Sequence, residues 1–235
     1  MKQPDYRNPN LIATAFEVPL YDELNFSGLI PATVLPMTKN GEADEIGLRR
    51  YIRWISKQGI VGVAINVDTG EAAHLTQAEK LRVLEVVREE LPPTVMLVAG
   101  VSGPYTAAAV SQAVEYKSVG ADALLVFPIP AYLSAPLDPA IPYRYHASIA
   151  SVGLPMILFQ LQPALGGVSY SREVLERLLD IDMVAAVKEA SFDARRFIDT
   201  VGIVRDMGRT IALRTGNDNF IYESFILGAE GALIG

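Results

Sequence analysis

Apolar, β-branched runs recur along the chain: "GLIPATVLPM" (28–37), "VGVAINVDT" (61–69), "TVMLVAGV" (94–101), "ALLVFP" (123–128), "PMILFQ" (155–160), "MVAAVKEA" (183–190), "TIALRTG" (210–216) and "GALIG" (231–235). The runs are continuous rather than alternating, which is the pattern of strands buried on both faces, as parallel strands are. Between them the apolar positions take helical spacing. Leu48, Tyr51, Ile52 and Ile55 form one face of a helix over 44–58. Thr76 and Glu79 stand at capping-box spacing ahead of a stripe of Leu84, Val87 and Leu91. Pro104 lies near the first turn of a third helix, where its missing N–H costs nothing. Ile141, Tyr145 and Ile149 space a fourth, Ser171 caps a fifth over "REVLERLL", and Phe197, Val201 and Val204 mark a sixth. "NDNFIYESFIL" is a weaker seventh.

Strand and helix alternate, so the crossovers are right-handed and the eight runs predict a (β/α)₈ (TIM) barrel as one domain over 27–235. A doubly wound open sheet is the runner-up, but no G-x-G-x-x-G follows the first strand. Residues 1–26 read as an extended lead-in. The chain ends on strand eight, so the helix that should cover that strand is missing. The expectation is a piece of a longer protein, or a partner chain that covers the gap. The outer face of strand eight should then appear as an apolar groove flanked by the first and seventh helices, with Leu233 or its neighbours facing solvent, or "LIATAF" of the lead-in fills it. An exposed large aliphatic side chain forfeits roughly 1.5–3 kcal/mol.

Composition narrows the function. The net charge of −7 over 235 residues argues against a nucleic-acid footprint, which would be basic. There is no cysteine, so disulfides and thiolate chemistry are excluded. His74 and His146 are the only histidines and lie far apart, which gives no metal-ligand cluster. No stretch approaches a membrane span, and the N-terminal apolar stretch is broken by Glu17 and Pro19, which disfavours a secretory signal. A cytoplasmic location is expected.

A barrel of this kind carries its active site at the C-terminal ends of its strands. Those ends hold Asp68, Thr69, Gly70 and Glu71 after strand two, and Phe127 and Pro128 after strand four, with Tyr132 shortly beyond. They also hold Phe159 and Gln160 on strand five, Lys188 and Glu189 on strand six, and Thr215, Gly216 and Asn217 after strand seven. Lys188 is the only lysine among them. Burial disfavours its charged form, and a neutral amine can attack a carbonyl to form a Schiff base. A pairing with Glu189 or Glu71, or a side chain that snorkels to the surface, weighs about as much from spacing alone. "VDTGEA" (67–72) offers backbone N–H groups and the Thr69 hydroxyl to a carboxylate, although an ordinary Asp/Gly turn explains it better when taken alone. Tyr132 reads by default as packing, and His74 as a loop or capping residue.

The segments "VDTGEAAHLTQAEK", "VMLVAGV", "GADALLVFP", "PAY", "LPMILFQLQP", "VAAVKEAS" and "LRTGND" resemble, in order and spacing, the dihydrodipicolinate synthase / N-acetylneuraminate lyase family from about Gly28 to Gly235. The resemblance implies a barrel, usually tetrameric, whose lysine forms an imine with pyruvate or another 2-oxo acid, and Lys188 falls on that lysine. It implies no cofactor and no metal. Thr69, Gly70 and Leu233 fall at substrate-contacting positions, and Tyr132 matches the tyrosine contributed across a subunit interface. There are departures. Phe159 stands where the family has its acid/base tyrosine, and Asp68 replaces the first threonine of the proton relay. "QPALGG" offers no match for the carboxylate-binding arginine, and the family's C-terminal helices are absent.

The expectation is therefore a lyase, an aldolase or a dehydratase, acting on pyruvate or a 2-keto-3-deoxy sugar acid as a homo-oligomer. Lys188 carries the imine, and a buried Asp68 stands in as proton carrier. The rival is a catalytically silent relative that binds a small oxo acid or serves as an oligomeric scaffold. A cofactor-dependent oxidoreductase lacks any nucleotide fingerprint.

Overall fold

The computed structural model describes residues 24–129, 132 and 137–235. Within them the apolar runs become eight strands and the polar-apolar stretches seven helices: β1 (Gly28–Pro31), α1 (Glu45–Ile55), β2 (Gly62–Ile65), α2 (Gln77–Glu90), β3 (Met96–Val101), α3 (Thr106–Ser118), β4 (Ala123–Val126), α4 (Ala140–Ala150), β5 (Met156–Leu161), α5 (Arg172–Leu179), β6 (Val184–Ala190), α6 (Ala194–Asp206), β7 (Ala212–Thr215), α7 (Ile221–Leu227) and β8 (Gly231–Ile234). None of these helices is long and apolar enough to cross a membrane.

Every named strand pair is parallel, in the order β1-β8-β7-β6-β5-β4-β3-β2. The two ends of this series meet. Ala32 bridges Ala64, and Val61 N donates to Leu29 O at 3.0 Å and Thr33 N to Ala64 O at 3.1 Å. The sheet therefore closes into a (β/α)₈ barrel, and the open-sheet alternative is overturned. Closure explains the continuous apolar runs, because each strand has a barrel interior on one side and a helix layer on the other. Ile30, Ala64, Val98, Leu125, Ile157, Ala186 and Leu233 fill the interior. Val63, Leu97, Leu124, Leu158, Val187 and Leu213, on the alternate positions, pack against the helices.

Local signals set most helix starts. Thr76 and Glu79 form the full capping box on α2, and Ser171 accepts from Val174 N at the start of α5. Pro104 lies near the first turn of α3, just ahead of the N-cap Tyr105. Two expectations need correction. Ile141 is 43% exposed, and the buried stripe of α4 runs through Pro142, Tyr145, His146 and Ile149. Leu233 does not face solvent. The period-two alternation of β8 turns it into the barrel, fully buried, and leaves the small Ala232 outward at 3% exposure. Exposed apolar surface nearby sits instead on Leu29 of β1 and on Phe225 and Ile226 of α7. Residues 1–23, including "LIATAF", lie outside the described residues.

The barrel interior also holds a charge. Arg214 on β7 is fully buried, and its guanidinium donates to the carbonyls of Phe26, Gly28 (2.6 Å) and Ala232 (2.9 Å). A side chain at Gly231 would come within 3.0 Å of the same guanidinium. Burial pushes its pKa down to about 10, with Glu230 opposing. The arginine ties β7 to β8 and to the entry of β1, the seam where the chain's first and last strands meet.

Candidate active site

At the C-terminal end of the barrel lies a cavity of about 210 Å³, lined among others by Asp68, Thr69, Phe159, Lys188, Gly216 and Leu233. β6 supplies its lysine. In the register, Lys188 pairs with Phe159 on β5 and with Arg214 on β7, all pointing inward. The side chain is partly buried, and its ammonium sits 4.2 Å from the centroid of the Phe159 ring. Phe127 packs edge-on against Phe159 at 5.0 Å between centroids, so the wall beneath the amine is aromatic. On the other side the chain has a glycine for steric reasons. A side chain at Gly216 would lie 2.7 Å from Lys188 Cε and 2.8 Å from Ala190 Cβ.

No ion pair reaches Lys188 among the described residues. Glu189, its neighbour, faces the opposite side of β6 and accepts from Asn217 Nδ2 at 2.7 Å and from Ser191 N at 3.1 Å. Glu71 pairs instead with His74 at 2.6 Å, on the surface. Burial pushes the Lys188 pKa down to about 8, against the more distant pull of Asp68 and Asp218. The pairing and snorkelling alternatives therefore do not describe this lysine.

Asp68, Thr69 and Gly70 form a short 3₁₀ turn after β2 at the cavity mouth. The Asp68 carboxyl is raised above its ordinary range by desolvation, with Lys188 opposing. The Thr69 hydroxyl lies 3.0 Å from Ala32 O and 3.2 Å from Thr33 O, so its single proton is engaged by the chain's own carbonyls. The N–H groups of Asp68 and Thr69 donate to no acceptor among the described residues, whereas Gly70 N donates to Val67 O. The loops around the cavity hold three non-glycine residues in the left-handed region: Asn66 (φ 55°), Glu71 (φ 60°) and Phe192 (φ 59°). Such strain gathers at sites that the surrounding structure over-determines. At Phe192 the cause is visible, since its N–H is captured by Asn217 Oδ1 at 2.6 Å.

Not every expected residue joins the cavity. Tyr132 packs against the outer core, its hydroxyl raised by burial, and it does not line this cavity. His146 is fully buried on α4, its Nδ1 2.7 Å from Pro142 O, and burial pushes its pKa down to about 4. The cavity also holds residues that the sequence did not single out. Asp218 closes the segment "LRTGND" without having been marked as a site residue, and Phe192 is placed only by the turn after β6.

The sequence profile of the dihydrodipicolinate synthetase family matches residues 25–234. The chain belongs to this family. A 4-hydroxy-tetrahydrodipicolinate synthase of Protochlamydia amoebophila is 29% identical over 206 residues, covering 88% of this chain and 68% of the relative. An uncharacterised DapA-like lyase of Pyrobaculum islandicum is 32% identical over 213 residues, covering 90% of this chain and 68% of the relative. Among solved structures, the chloride-inhibited dihydrodipicolinate synthase of Acinetobacter baumannii, complexed with pyruvate, superimposes with a TM-score of 0.80 at 28% identity, over 89% of this chain and 70% of its own length. A dihydrodipicolinate synthetase family barrel with a lysine at the end of its sixth strand is thus what fold and sequence both describe.

Proposed function

We propose that this protein is a lyase of the aldolase or dehydratase type that acts on a 2-oxo acid, such as pyruvate or a 2-keto-3-deoxy sugar acid, through a Schiff base on Lys188. The observation that carries the reading is the setting of the Lys188 amine: an aromatic wall, no ion-pair partner among the described residues, and a pKa near 8. At pH 7 about a tenth of such an amine is neutral, against roughly 0.03% for an ordinary lysine. The neutral amine attacks C2 of the oxo acid. The carbonyl oxygen takes a proton, and the carbinolamine then loses water to give the protonated imine. That imine accepts the electron pair released when a C3 proton or the C3–C4 bond leaves.

The free N–H groups of Asp68 and Thr69 hold the substrate carboxylate, Leu233 forms part of the pocket wall, and Gly70, which does not line the cavity, shapes the turn that presents the two N–H groups. Asp68, raised by burial, serves as proton carrier in place of the hydroxyl that Phe159 lacks. Tyr132 acts across a subunit interface in a homo-oligomer. The names of the relatives, synthases and lyases, and the pyruvate bound to the A. baumannii structure support this chemistry.

A second reading is favoured by Phe159 and by the lack of an arginine in 161–167: a relative that forms the imine or binds the oxo acid but does not turn over. Borohydride reduction in the presence of pyruvate, followed by intact mass and peptide mapping, tests both. The lyase reading expects one reduced pyruvyl group on Lys188, and turnover of at least one 2-oxo acid. An adduct with no turnover across a panel leaves the second reading. No adduct with any 2-oxo acid overturns the Schiff base itself.

A further inference from the structure

A buried amide between the ends of β6 and β7 does not line the Lys188 cavity, yet its bonds grip the residues that do. The two strands end side by side, with Lys188 paired to Arg214 and Glu189 to Thr215. Beyond that register Gly216 N donates to Glu189 O at 2.7 Å, and Asn217 N donates to Thr215 Oγ1 at 3.1 Å. Asn217 is fully buried. Its Nδ2 donates to Glu189 O at 2.9 Å and to Glu189 Oε2 at 2.7 Å, and its Oδ1 accepts from Phe192 N at 2.6 Å. These partners fix the orientation of the amide, because a backbone N–H only donates and a carbonyl only accepts. They also explain the residue type. A short amide offers two donors and an acceptor in one plane, whereas an ionised aspartate has no donor and a serine has one.

The chain neighbours of these bonded groups are cavity residues. Lys188 precedes Glu189, Gly216 precedes Asn217, and Phe192 is gripped directly. A Cβ on Gly216 would lie 2.7 Å from Lys188 Cε, so a small shift of the β7 end moves the surface on which the lysine chain rests. Phe192 stands at φ 59°, a conformation that a bulky residue leaves unless it is held, and Asn217 Oδ1 holds its N–H. Glu189, the other partner, is tied as well. It accepts from Ser191 N at 3.1 Å, and burial raises its carboxyl against these hydrogen bonds and the charge of Arg196. Arg196 and Asp199 on α6 and Arg172 on α5 are the charged groups among the described residues that line the cavity behind β6 with it.

We propose that Asn217 is the positioning residue of Lys188: its amide locks the end of β7 to the end of β6, so that the lysine chain, Gly216 and Phe192 keep the one geometry in which the amine meets a carbonyl. This role rests on the Lys188 Schiff-base reading and adds to it a residue that lies behind the cavity. A misplacement of about 1 Å from a change outside the chemistry lowers a rate by about 10²-fold, which sets the scale of the effect.

The test uses the full chain and needs no turnover. Single-turnover reductive trapping at saturating pyruvate is followed against pH, with melting curves for every variant. Rates are compared on the plateau above each protein's own apparent pKa, where the amine is neutral and the rate reads geometry rather than protonation. Asn217→Ala should trap about tenfold or more slowly than the wild type. Ser224→Ala removes the hydroxyl 2.9 Å from Thr215 Oγ1 and touches neither Glu189 nor Phe192. It should melt lower and trap at the wild-type rate. Asn217→Asp keeps the shape and the acceptor for Phe192 but sets a carboxylate against Glu189, so it reads the hydrogen bonds even where the alanine variant fails to fold. Two carboxylates this close take up a shared proton as pH falls, and the acid form then donates to Glu189. Its rate relative to wild type should be lowest on the plateau and recover several-fold toward pH 6. An Asn217→Ala plateau within about twofold of wild type overturns the inference and leaves the Schiff base standing. So does equal slowing in Ser224→Ala, or an Asn217→Asp ratio that does not rise as pH falls. Absence of any pyruvate adduct in the wild type removes the Schiff-base reading and this inference with it.

Discussion

Two buried cations stand side by side on neighbouring strands, and their surroundings could hardly differ more. Arg214 and Lys188 are register partners on β7 and β6, and both point into the barrel. Arg214 gives hydrogens of both terminal guanidinium nitrogens to three backbone carbonyls, leaving only Nε without a partner among the described residues, and so staples the seam between β1 and β8. Lys188 has a phenyl ring beneath it, a glycine beside it, and no acceptor bonded to its amine among the described residues. A buried charge that stabilises a fold has its hydrogen bonds satisfied. A charge left without them has its pKa displaced and is available to a ligand. The same contrast runs along β6 itself, where Glu189 is held by Asn217 and Ser191 while Lys188 is left free.

The sharpest way to break this comparison is to remove the free cation. Lys188→Ala should abolish trapping of pyruvate, a loss limited only by the detection floor of the mass measurement, while the protein still folds. An adduct that persists on another lysine would dissolve the contrast. Removing the carbonyl-bound cation should do the reverse. Arg214→Leu strands three buried carbonyls and should cost about 3–5 kcal/mol of stability, read as a lower urea midpoint. Trapping at Lys188 in the fraction that remains folded should survive. If Arg214→Leu left stability unchanged and instead altered imine formation, Arg214 would belong to the chemistry.

Phe159 tests the wall beneath Lys188. Condensation of pyruvate with aspartate semialdehyde should run near background, because general acid–base groups typically contribute about 10²–10⁴-fold and a phenyl ring transfers no proton. Phe159→Tyr keeps the ring under the amine and should raise turnover by about tenfold or more. Wild-type turnover within tenfold of an ordinary family member would mean that Asp68 already does the work of a tyrosine.

The smallest effect concerns stability. The folded pKa of Lys188 lies below its unfolded value, near 8 against 10.5, so the unfolded chain binds the extra proton in between. The penalty for burying the amine is fully present below pH 8 and disappears as pH rises to 10.5. Lys188→Met should therefore melt roughly 2–6 °C higher than the wild type at pH 7, and the gain should shrink across that window. A gain independent of pH would point to packing alone.

Much of this was legible in the sequence, and what escaped it has physical reasons. Continuous apolar runs locate all eight strands, because a closed barrel buries both faces of each. The capping box at Thr76 and the cap at Ser171 mark helix starts through their own side chains. A lysine closing an apolar strand marks Lys188. The same signal, an arginine inside "TIALRTG", marks Arg214 equally well, and only the three carbonyls around it distinguish a staple from a nucleophile. Period-two alternation could have turned Leu233 inward, but the phase of a four-residue strand needs its neighbours to fix it. Asp218 and Phe192 reach the Lys188 cavity through the turns that close the barrel mouth, which no local pattern encodes.

Lys188, left without an acceptor, should present a far larger neutral fraction of amine to a carbonyl than an ordinary lysine does. The rate of pyruvate imine formation, trapped by borohydride under single-turnover conditions across pH 6 to 11, measures this directly. The rate should climb with pH and level off around an apparent pKa of about 8. A rate that keeps rising toward the ordinary lysine value of 10.5, or an amine that never forms the adduct, would contradict it.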